Sequence, residues 1–164
     1  MMWTDDQIQQ LITCTKTITR APGKLKLQSG HFRTDFELTS EAGDHVFRVF
    51  IRYNAMFMEN FSVGLDYKSG KEEGTICLYR CNGPHGDTRP GGHHGKPHIH
   101  YATAETIDSD RRSESNITQT AEFVTWQDAL AYFVRHVRIF GAEEYFDFLN
   151  SQQLEFGLDG LDDE

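Results

Sequence analysis

At 164 residues, with 38% hydrophobic and 12% aromatic side chains, the chain is long enough to bury one core and of a length for one domain. No run of about 18 or more apolar residues occurs, which excludes a membrane-spanning helix of the usual kind. The net charge of −9 is unevenly spread: Gly141 to Glu164 holds eight acidic residues and no basic one, whereas residues 1–140 carry 16 basic and 17 acidic groups.

The opening "MMWTDDQIQQ" has neither a basic n-region nor an apolar h-region, so a cytoplasmic location, bacterial or that of a phage host, is expected. Thr4 reads as an N-cap with Gln7 three residues on, and Asp5 and Asp6 suit the positive end of a helix. Ile8, Leu11 and Ile12 fall on one helical face, and "RAPGK" is expected to end the helix.

From Lys24 to Thr103 the period changes to two. "KLKLQ" alternates, and so does "HFRTDFELTS", with Phe32, Phe36 and Leu38 on one face and His31, Arg33, Asp35 and Glu37 on the other. "EAGD" is a turn, "HVFRVFIRY" a strand, "FMENFSVGLDY" another, "KSGKEEG" a polar hairpin loop, "TICLYRC" its return and "PHIHYAT" the last strand. An antiparallel meander is the simplest topology, with one apolar face and one wet face. Met56, Phe57, Met58 and Phe61 are many apolar residues for one strand, so a dimer or partner surface is one reading beside the core. Cys77 and Cys81, four apart, should share a strand face with Tyr79. With Cys14 they make an odd number and no disulfide framework, and read as small buried side chains.

After Thr103 the polar "AETIDSDRRSESNITQT" reads as an irregular connection. Thr125 caps a helix with Leu130, Phe133, Val134 and Val137 on its buried stripe. Beyond Gly141 a second short helix places Tyr145, Phe146 and Leu149 inward. The expectation is an α+β fold. Residues 1–152 form one domain with an antiparallel sheet of five or six strands and N- and C-terminal helices on one face; residues 153–164 form an acidic tail.

Chemistry concentrates in "CNGPHGDTRPGGHHGKPHIHYAT", residues 81–103, which holds five of the eight histidines: His85, His93, His94, His98 and His100. His31, His45 and His136 stand alone and read as surface or packing residues. His98 and His100 flank Ile99. If Ile99 faces the core, both rings stand on the open face, about 6.5–7 Å apart along the strand. The glycines before them let His85, His93, His94, Arg89 and Lys96 approach that pair, and Arg80 and Asn82 close the preceding strand.

Three readings compete. In the first, two imidazoles act as base and acid in cleaving RNA through its 2′-hydroxyl, and a cation stabilises charge building on the phosphoryl oxygens. The candidate catalytic residues are then His98, His100 and His85. The substrate-binding residues are Arg80, Asn82, Lys96 and Arg89, with no cofactor required. In the second, His93, His94, His98 and His100 hold a metal ion such as zinc. In the third, the loop is solvated and does nothing specific.

The segment is similar to one in small bacterial proteins often met near mobile or defence genes. These carry an Asn-x-Pro-His turn, a His-His pair and a His-x-His strand followed by a helix. More distantly it resembles the TumE-type toxins of toxin–antitoxin pairs, whose hallmark is a strand Tyr, an Asn-Ala-Pro-His-His turn and further histidines. Tyr79, Asn82, Pro84, His85, His93, His94 and His98 match in kind over about 25 residues. This sequence has one residue more between Tyr79 and Asn82, and Gly86 stands where the turn's second His would be. The resemblance implies a ribonuclease with an antitoxin as partner. The rival class is an acidic inhibitor of anti-defence type. It would bind a nucleic-acid-handling protein through carboxylates spaced like phosphates: Asp147, Glu155, Asp159, Asp162 and Asp163.

Overall fold

The computed structural model describes residues 3–70, 74–84, 95–109 and 116–150. The order is α1 (Asp5–Thr13), β1 (Lys16–Arg20), β2 (Lys26–Gln28), β3 (His31–Ser40), β4 (Val46–Asn54), β5 (Phe61–Lys68), β6 (Thr75–Asn82), β7 (His98–Tyr101), α2 (Ala104–Asp108), β8 (Ile117–Gln119), α3 (Trp126–His136) and β9 (Ile139–Phe140), then a 3-10 turn at Ala142–Glu144. The fold is α+β. Among the described residues the sheet has nine strands rather than five or six, in the order β8-β7-β6-β5-β4-β3-β1-β9, with β2 pairing β3 beside β1. It is mixed rather than a pure antiparallel meander, because β9 runs parallel to β1.

The predicted caps are present. Thr4 and Gln7 form a full capping box on α1, and Thr125 accepts from the Asp128 N–H at the start of α3. Three departures have local causes. First, α1 ends at Cys14, not at "RAPGK". The β-branched alternation of Thr15, Thr17 and Thr19 favours the extended β1, and the Lys16 ammonium donates to the carbonyls of Ile12, Cys14 and Val137, at the ends of both α1 and α3. Second, the polar stretch after Thr103 is not structureless: Thr103 and Thr106 form a capping box for α2, and Ile117–Gln119 adds a strand beside β7. Third, the helix expected after Gly141 is interrupted: a 3-10 turn at Ala142–Glu144 is followed, among the described residues, by helical backbone only at 148–150; Leu149 is buried and Phe146 partly so, but Tyr145 is exposed.

The alternation in β3 and β4 divides the sheet as the pattern implies. Phe36, Leu38, Phe47, Val49, Ile51, Phe61, Val63 and Leu65 are buried. They share one hydrophobic core with Ile8, Leu11 and Ile12 of α1 and Ala129, Leu130, Phe133 and Val134 of α3. The strand expected to begin at Phe57 begins at Phe61. Phe61 is in the core, but Met56, Phe57 and Met58 are exposed in the β4–β5 turn. A bulge where β6 meets Leu65 and Asp66 corrects the expectation for the cysteines. Cys81 opposes Val63 in the core, whereas Cys77 opposes Asp66 on the other face. No described helix is long and apolar enough to cross a membrane.

Candidate functional site: the polar face of the sheet

Register arranges the second face in rows. One row runs Lys26–Arg33–Arg52–Ser62–Asn82–His98–Gln119, a residue from each of seven neighbouring strands. The next runs Asp35–Phe50–Gly64–Arg80–His100–Ile117. Ile99 opposes Cys81 and joins the core, so His98 and His100 both stand on the polar face. Their ring centroids are 5.0 Å apart at an interplanar angle of 65°. The face is not open there, contrary to the expectation: both rings are buried, with 0% and 9% of their surface exposed.

His98 Nδ1 lies 2.8 Å from the Lys96 carbonyl. A carbonyl only accepts, so Nδ1 carries the proton, and in the neutral ring Nε2 keeps its lone pair. Across the strand, the buried Asn82 takes a 2.6 Å hydrogen bond from the Ser62 hydroxyl on its Oδ1, leaving its amide N–H groups as donors. The next residue fixes where this strand ends. A Cβ on Gly83 would stand 1.9 Å from the Glu59 carbonyl oxygen and 2.7 Å from the Phe61 ring, so only glycine permits this approach. Arg80 lies opposite His100, and its buried Nε has no hydrogen-bond acceptor among the described residues. Lys96 is exposed and presents its carbonyl to His98.

Toward β2 the same face hollows into a cavity of about 620 Å³. It is lined by six basic side chains (Arg20, Lys24, Lys26, Arg33, Arg48 and Arg52) against the carboxyls of Asp35 and Asp66. Asp35 is engaged by Arg20 at 2.9 Å and Arg48 at 3.7 Å, and Glu37 by Arg20 at 3.8 Å and by Lys68. Among the described residues no carboxylate pairs with Lys24, Lys26, Arg33 or Arg52. Burial, then the neighbouring Arg33 and Arg80, depress the Arg52 pKa. Burial pushes the Asp66 carboxyl up, against the pull of Arg48 and Arg80. Burial likewise pushes the adjacent Cys77 thiol up to about 12, which makes it a poor nucleophile.

The structure thus brings together His98, His100, Arg80 and Asn82 on one face. Asp147 does not join them: its neighbours Phe146 and Phe148 pack against Phe36 and Trp126 of the core. His85, Arg89, His93, His94, Glu155, Asp159, Asp162 and Asp163 lie outside the described residues. Among the described residues no three His, Cys, Asp or Glu stand close enough to hold a metal. Two of the solitary histidines have packing partners: His45 bonds the Tyr67 hydroxyl, and His136 stacks on Tyr79 and Tyr132. Sequence reading missed Ser62 and the run Lys26–Arg33–Arg52; the alternation of β3 had placed Arg33 on the wet face, but nothing local sets its cross-strand neighbours. No protein-family model, curated protein or solved structure matches this chain.

Proposed function

We propose that the protein is a toxin-like RNA-cleaving enzyme whose polar sheet face carries the chemistry, with the helices on the opposite, apolar face. The observation that carries this reading is the same-face His98/His100 pair, 5.0 Å between centroids, with one tautomer set by a backbone carbonyl. His98 Nε2 takes the proton of a ribose 2′-hydroxyl. The 2′-oxygen attacks the adjacent phosphorus, and the bond to the 5′-oxygen breaks as His100, protonated, gives that oxygen its proton. Arg80, opposite His100, offsets the charge on the phosphoryl oxygens, and the Asn82 amide N–H groups orient the phosphate. His85, Arg89 and Lys96 supplement this set in the proposal, in a cytoplasmic setting. Exposed Met56, Phe57 and Met58 offer an antitoxin or a second copy of the chain an apolar contact.

One observation also favours a His-ligated metal centre: a ring whose Nδ1–H is held by a backbone carbonyl is oriented as a metal-ligating histidine commonly is. Incubating purified protein with single-stranded RNA, with and without a chelator, separates the readings. Cleavage that the chelator leaves unchanged supports the acid–base pair. Cleavage lost on chelation transfers His98 and His100 to a metal. Absence of cleavage overturns the enzyme and leaves the acidic inhibitor, whose partner binding would fail on removal of residues 153–164.

A further inference from the structure

Arg33 and Arg52 are directly opposed across β3 and β4, with Lys26 opposed to Arg33 on the next strand. Directly opposed like charges in a sheet are unfavourable, and no described carboxylate offsets these three. Asp35, one row away, is already held by Arg20 and Arg48. A fold selected for stability alone gains nothing from this row. An anion bound there would offset the repulsion and could take charge-assisted hydrogen bonds from the guanidinium groups that line the cavity.

The surroundings indicate what kind of anion. The cavity of about 620 Å³ exceeds a single phosphate, and its floor includes the half-buried Phe50. That side chain leans over Gly64: a Cβ there would fall 2.2 Å from Phe50 Cζ, so the glycine makes room for the ring. The Arg48 guanidinium stands 5.9 Å from the ring centroid. Cations beside an aromatic surface suit a chain of phosphates with unpaired bases. From Arg52 the same row continues through Ser62 and Asn82 to His98, three strand steps or about 14 Å away.

We infer that Lys26, Arg33 and Arg52 form a backbone-gripping track for single-stranded RNA, with Phe50 as its base-contacting floor, leading across the sheet to the histidine pair. The inference rests on the polar face being the RNA-handling face, but not on cleavage.

The test is fluorescence anisotropy with a labelled 2′-O-methyl oligoribonucleotide of about a dozen residues. Lacking the 2′-hydroxyl, this probe cannot be cut by the proposed chemistry. Arg33→Gln/Arg52→Gln should lower affinity by about 10- to 100-fold. It should also flatten the dependence of log affinity on log salt by about 1.4, some 0.7 per lost phosphate contact. Phe50→Leu should weaken binding several-fold without changing that slope. The double variant should melt no lower than wild type, since a repulsion has been removed. Wild type that does not bind the probe, an unchanged slope in the double variant, or duplex DNA of equal length bound as tightly overturns the inference. Protein that cuts RNA while these variants bind normally removes the track and keeps the nuclease. Protein that binds through the row and cuts nothing keeps the track and removes the nuclease.

Discussion

Two sets of cations in this protein meet opposite fates. Lys16 is wholly buried, yet its ammonium donates to three carbonyls at 2.7–2.8 Å and lies 4.9 Å from the centre of the Phe47 ring. Two of those carbonyls, Ile12 and Val137, belong to the ends of α1 and α3, where helices leave acceptors unmatched. Arg33 and Arg52 lie on the other face, each beside another cation, with no described carboxylate against either. A cation whose donors are all matched by the fold is a structural part. A row of cations that the fold leaves to repel one another makes sense through something the fold does not contain.

The largest expected effect falls on neither set but on the pair they lead to. His98→Gln and His100→Gln should each slow RNA cleavage by about 10²- to 10⁴-fold while keeping the fold, read as initial rates alongside circular dichroism. Rates within a few-fold of wild type would detach the histidines from the chemistry.

Next comes Lys16→Met, which strands three carbonyls, two buried and one partly so, and should cost about 3 kcal/mol in denaturant unfolding. Burial lowers the Lys16 pKa from 10.5 to about 8. Between those two values the unfolded chain holds a proton that the folded chain has lost. Stability from this group therefore rises with pH across that window, and the margin of wild type over Lys16→Met should widen from pH 8 to 10.5. A margin that narrows would mean that the carbonyls hold the ammonium charged.

Gly83→Ala should cost about 1–3 kcal/mol, because the new methyl meets the Glu59 carbonyl and the Phe61 ring. It should also reduce cleavage by moving Asn82. The smallest effect sharpens the comparison most: Arg52→Gln should leave stability unchanged or raise it by up to about 0.5 kcal/mol. A loss of 2 kcal/mol or so would make Arg52 as structural as Lys16.

What could be read in advance follows the same division. Period-two alternation in "HFRTDFELTS" and "HVFRVFIRY" marked both faces of β3 and β4, and a spacing of two placed His98 and His100 together once Ile99 faced inward. The cross-strand rows were not legible, because register is set by turns and bulges rather than by the strands. Lys26 aligns with Arg33 because Ser29 and Gly30, at φ 51° and 78°, make a two-residue turn. Cys77 changes face because of a single bulge that no composition marks. β9 has two residues and exists only because it meets β1 across most of the chain, which local pattern cannot show.

Adding the 2′-O-methyl oligoribonucleotide to ¹⁵N-labelled protein and recording which backbone and side-chain signals move would test most directly that the polar face is the working face. The account predicts shifts along β3, β4, β6 and β7, at Arg33, Arg52, Asn82 and His98, with α1 and α3 unmoved. Shifts confined to the helices, or none at saturating RNA, would contradict it.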